Sequence, residues 1–211
     1  MPTTVLDFWF HEIQPAQWWT VDSAFDDLIR TRFGAPHDQA RRCELFAWRA
    51  TPEGRLAEVI VLDQFARNIH RGTPDAFSAD PLALALAQEA VAAGADLALP
   101  VERRAFLYMP YMHSESAAIH AVGEPLMKDR APQGTYDFEL KHKAIVDRFG
   151  RYPHRNAILG RESMPEEVEF LKQPGSSVPA GIKFSPRAAE PAMRLPIRRR
   201  GLCAAGDRAC R

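Results

Sequence analysis

Three cysteines among 211 residues are too few for a disulfide framework, and they form no C-x-x-C or other ligand spacing. Free thiols in a reducing, cytoplasmic compartment are the simplest account. Net charge is missing as well: 27 Lys and Arg stand against 27 Asp and Glu, so nothing overall argues for nucleic acid. No apolar run approaches the roughly 18 residues of a membrane-spanning helix, and no basic stretch leads a short apolar one at the N-terminus. Neither a membrane span nor an export signal is expected. The sequence also lacks a phosphate-cradling Gly loop, a G-x-S-x-G elbow and an H-E-x-x-H pair, and no cofactor is expected. What remains, 46% hydrophobic and 26% charged, is the composition of a globular chain of one or two domains.

The charge balance conceals a split. Residues 173–211 hold eight basic residues against Glu190 and Asp207, and the body, residues 1–172, holds 19 basic against 25 acidic. That tail also carries five of the 17 prolines, Cys203 and Cys210, and apolar residues with no regular spacing. It is read as an extended or disordered basic arm, because it buries too little surface to offset its ordering entropy. The body is expected to leave nucleic acid alone; the arm leaves that question open.

Through the body, apolar residues recur at three and four, the period of a helix. Thr3 and Thr4 are expected to cap a first helix carrying Val5, Leu6, Phe8, Trp9 and Phe10. Asp22 is expected to cap a second, with Phe25, Leu28, Ile29 and Phe33 in one stripe and a stop at Gly34. Cys43, Leu45, Phe46 and Trp48 suggest a third. Thr51-Pro52-Glu53 supplies a cap, a proline at the first helical position and an acid in the first turn. Leu56 to Phe65 then make a wide apolar face that ends by Gly72. Asp80-Pro81 opens the Ala/Leu-rich run to Gly94. Further helices are predicted over Val101–Val122, kinked at Pro110, over Thr135–Phe149, and from Ser163-Met164-Pro165-Glu166 to Leu171. No strand pattern competes, so the fold class is all-α. The short connections predict antiparallel hairpins stacked in a compact, tetratricopeptide-like array.

Two segments align without gaps on the pattern D-x-F-x-R-x-x-H-R: Asp63 to Arg71 and Asp147 to Arg155, 84 residues apart. Asp63 and Asp147 each face an arginine one turn on, Arg67 and Arg151, in the favourable acid-first order. Each copy nevertheless has more cation than acid, leaving Arg71 and Arg155. A guanidinium fork suits carboxylate or phosphate. A third polar cluster is Tyr108 to Glu115 around Pro110. His113 and His120 are seven apart, without the usual ligand spacing, and no metal is assigned. Phe8-Trp9-Phe10 with Trp18-Trp19 is read as a buried cap over the first hairpin, in preference to a ligand-stacking wall. His11, His37 and His142 are read as surface residues.

The stretches Val5–Phe10, Trp18–Gly34, Gly54–Asp80, Glu102–Glu115 and Arg148–Ser163 together resemble the bacterial domain-of-unknown-function 924 family over about residues 5–172. The resemblance implies a compact helical protein of tetratricopeptide-like architecture and implies no activity. The chain departs from the family pattern at Ala66, His70, Ser116 and His120.

Two functional readings follow. In the first, a polar cleft binds a small anionic metabolite through Gln64, Arg67, Asn68, Arg71, Arg151, Arg155 and Asn156. His113 or His154 is then the acid/base and Glu115 or Asp63 orients it, for hydrolysis or group transfer if chemistry occurs. In the second, a helical scaffold binds a peptide or protein in its groove, and the polar motifs are purely structural. A cleft requires several of these side chains to converge with too few acids to neutralise them; a scaffold requires them paired off. The sequence assigns neither a reaction nor an oligomeric state.

Overall fold

The computed structural model describes residues 1–176. Among them all regular structure is helical, with no strand. No helix in that span is long and apolar enough to cross a membrane. The expectation for the basic tail falls outside the described residues from 177 onward.

Helix α1 (Pro2–Asp7) begins earlier than Thr3 and Thr4 would cap it, and runs into a π-helical turn over Phe8–Glu12. Helix α2 (Ser23–Arg41) is capped by Asp22, whose carboxylate accepts from the N–H groups of Ala24 and Phe25. It passes through Gly34 and Pro36 instead of stopping. Its buried line is Phe25, Ile29, Phe33, His37 and Ala40, while Leu28 is exposed. The third expected helix is absent: the chain turns at Cys43, which has φ 59°, and makes only a short 3-10 segment over Phe46–Ala50.

Helix α3 (Pro52–Ile60) starts on Thr51, whose hydroxyl accepts from Gly54 N–H at 3.1 Å. A π-helical turn over Val61–Phe65 follows without a break, and α4 (Ala66–Ile69) completes the rod. Then come α5 (Asp80–Ala92) and α6 (Val101–Met112). The helix expected over Val101–Val122 is in fact two. α6 accommodates Pro110 and breaks at His113, and α7 (Ala117–Arg130) follows. Helix α8 (Gln133–Phe149) ends at Gly150, whose φ of +69° is cheap only for glycine. Helix α9 (Pro165–Leu171) closes the described chain.

The α3 rod is central. It packs against α1, α5 and α6, and its π turn packs on α2; α6 in turn meets α7 and α8. The result is a main core including Trp9, Phe33, Leu56, Ile60, Phe65 and Phe106, with a smaller cluster of Ile145, Val146 and Tyr152 beside it. Trp9, Phe10, Trp18 and Phe106 interlock edge-on, and Trp18 donates from its indole to Trp9 O at 2.9 Å. Two histidines expected at the surface are buried. His37 is 1% exposed because it continues the four-residue stripe of α2. His142 is 4% exposed because it shares a face with Glu139, Ile145 and Val146. His11 is exposed.

Candidate functional site

The π turn matters because it widens the helix and re-aims its side chains, and such turns recur at functional positions. Here it carries Asp63 and Gln64, both buried under the surface of the cleft. Asp63 Oδ1 lies 2.7 Å from His113 Nδ1 and 3.1 Å from Arg67, and Gln64 Nε2 donates to Oδ2 at 2.5 Å. Burial acts to raise the Asp63 carboxyl, but Arg67, His113 and Gln64 outweigh it and hold the group well below the ordinary carboxylate range. The dyad fixes the imidazole with its other nitrogen, Nε2, available to a ligand. It was readable in part, since Asp63 was expected to orient a histidine.

Arg67 is saturated. It donates to Asp63 O at 2.6 Å and forms a fork with both oxygens of Asp80 at 3.0 Å. Asp80 was expected only as a helix-start signal; its carboxylate instead turns back across the cleft. Arg155, from the second motif, reaches the same acid. The two motif copies therefore meet, but through Arg67 of one and Arg155 of the other, which are not equivalent positions.

Arg155 is 6% exposed. Its guanidinium lies between the rings of Phe77 and Tyr152, at 4.6 and 4.7 Å from their centroids. It donates to His113 O at 3.0 Å and reaches Asp80 only at 3.4 Å, and its Nε has no partner. Both Asp80 oxygens are already held by Arg67. Burial, then the charge of Arg67, depress the Arg155 pKa, the mark of a cation short of compensation.

Around Arg155 lie two hollows, of about 300 and 480 Å³. The first is walled by Trp18, Trp19, Gln64, Asn68, Arg71, His142, Tyr152 and His154. The second is walled by Pro74, Asp80, Leu84, Pro110, Glu115 and Ile119. Phe77, His113 and Arg155 line both. The Trp pair thus combines an anchored core role with a face on the first hollow. The histidines that line the first hollow all have depressed pKa values. Burial and Arg67 lower His113, burial takes His142 down to about 3, and burial with Arg155 takes His154 down to about 4.

The other expected site residues have partners of their own. Arg71 forks onto Asp26, a buried acid that also accepts from Asn68. Arg151 does not pair with Asp147, because Gly150 ends α8 between them. Asp147 takes Lys143, and Arg151 forks onto the buried Glu167 at 2.7 Å. Asn156 also donates to Glu167, away from the cleft. Glu115 does not orient His113: it forks with Arg161 and accepts from Tyr152 N–H, contacts that lower its pKa against the effect of burial. His120 joins Glu139 at 2.7 Å and Ser114 O at 2.9 Å, on a different element from His113. No group of three or more His, Cys, Asp or Glu among the described residues is placed to hold a metal ion.

Asp26, Asp80, Phe77, Tyr152 and His142 were not foreseen as cleft residues. For His142 the signal was present in its helical spacing with Glu139, Ile145 and Val146. For Asp26 and Asp80 it was not, because the arginines that hold them lie 45 and 13 residues away, outside the three- and four-residue spacing of a helix.

No curated protein matches the chain. A solved structure from Agrobacterium tumefaciens, described as a protein of unknown function, is 38% identical with a TM-score of 0.77. The match covers 81% of this chain and 96% of that one. The family described as bacterial protein of unknown function, DUF924, matches residues 5–175. The all-α chain, with its cleft between α4, α6 and the segment after α8, belongs to the bacterial DUF924 family.

Proposed function

We propose that the cleft binds a small anionic molecule, with Arg155 taking the anion and His113 serving as acid/base. The supporting observation is Arg155 itself, a buried guanidinium with five N–H donors of which two have acceptors, one of them long. A group left so under-satisfied lowers the free energy of any acceptor that reaches it. In a hydrolysis or group transfer, His113 Nε2 takes the proton of the attacking group as its new bond forms. It returns that proton to the leaving atom as the old bond breaks, while Asp63 holds the ring. Arg67 sets the field around the dyad, and its fork is held by Asp80. The pairings of Arg71 with Asp26 and of Arg151 with Glu167 favour a structural role for those two arginines, as the scaffold reading requires.

The test is a thermal-shift titration with acetate, inorganic phosphate and sulfate. Millimolar anion raises the melting temperature of the native protein, and Arg155→Met abolishes the response while the unliganded protein melts no lower. Equal responses in both proteins, or none in either, overturn the reading.

A further inference from the structure

The second hollow is not needed to bind an anion, yet it abuts the same guanidinium. Pro74, Pro81, Leu84, Pro110, Ile119 and Leu159 give it a largely apolar lining at about 480 Å³, within the size range of ligand sites. Its two acids are committed elsewhere. Asp80 is held by Arg67, and Glu115 by Arg161 and the Tyr152 N–H. The polar groups it shares with the first hollow are His113 and Arg155. Its chemistry is therefore a cationic donor at one wall and hydrocarbon-lined space behind.

Resting on the reading of Arg155 as the anion site, we propose that the ligand is a carboxylic acid bearing a hydrocarbon chain. Its carboxylate sits at Arg155 and His113, and its chain occupies the hollow bounded by Leu84, Pro110 and Ile119. A carboxylate fits better than a phosphate does. The unfilled donors belong to one guanidinium, whose planar fork matches the paired oxygens of a single carboxylate, and among the described residues no second under-satisfied arginine lines either hollow to offset a further charge.

Isothermal titration of the full chain with acetate, butyrate, hexanoate and octanoate tests this, with hexanol and hexylamine as controls. Each added methylene is expected to tighten binding about fourfold until the hollow is full, from the transfer free energy of one buried CH₂. Hexanol and hexylamine bind more weakly than hexanoate. Ile119→Trp and the milder Leu84→Phe reduce the chain-length dependence without weakening acetate, and Arg155→Met removes carboxylate binding altogether. Acetate and hexanoate binding equally overturns the chain site and leaves the anion reading standing. Binding of phosphate but of no carboxylate overturns the assignment of ligand class. No binding of any anion overturns the anion reading itself.

Discussion

Replacing His37 by leucine, and following urea denaturation from about pH 7.5 to about pH 5, tests whether the core holds neutral imidazoles. Neither ring nitrogen of His37 makes a hydrogen bond, and burial takes its pKa down to about 4. An unfolded histidine titrates near 6.5. Below that value the unfolded chain takes up a proton that the folded chain refuses, so stability falls as the pH falls. The loss begins near 6.5 and is complete only near the folded pKa. Over this range it amounts to about 2 kcal/mol for His37, and to about the same again for His142, whose folded pKa is about 3. The native protein should therefore lose at least about 4 kcal/mol on this acidification, and His37→Leu about 2 kcal/mol less. Carboxylates such as Asp63 and Glu167 contribute the same amount to both proteins and cancel in the difference. Identical pH dependences for the two proteins would show that His37 is hydrated or charged in the folded state, and would refute the reasoning.

Arg71→Ala strands the buried Asp26 with Asn68 alone as a donor. It should cost about 2 kcal/mol in urea denaturation, below the figure for a fully buried pair because Arg71 is partly exposed. Gly54→Ala gains helix propensity, yet its Cβ would lie 1.9 Å from Trp48 O. A net loss of about 2 kcal/mol is expected, and a gain in melting temperature would refute it. Deleting residues 178–211 should leave the melting temperature of the remainder unchanged, since the family match ends at 175; a truncated protein that is molten by near-UV circular dichroism refutes this.

The interior of α2 was legible because Phe25, Ile29 and Phe33 repeat at four, and the same arithmetic extends to His37, which a reading by residue type alone puts outside. Gly34 misled for the converse reason. It is compatible with a helix end, but no left-handed turn is required there, and packing of Phe33 and His37 carries the helix through. Cys43 to Trp48 has apolar residues at helical spacing but only Leu45 is buried, so nothing sustains a helix.

The amino-acid sequence determined the all-helical class, the caps at Asp22 and Thr51 and the faces that most helices bury, because those depend on neighbours three and four residues apart. It also marked Asp63, His113 and Arg155 as chemistry-bearing groups. Which carboxylate each arginine meets was decided only by the tertiary structure. A guanidinium on its long stem pairs with whatever acid the packing brings within reach: Asp26 and Glu115 arrive from 45 and 46 residues away, and Asp80 from 13, beyond the reach of helical spacing. The local excess of cation over acid pointed to Arg71 and Arg155 alike, and packing separated them by giving Arg71 the carboxylate of Asp26. Arg155 stands under-satisfied because Arg67 occupies Asp80 first.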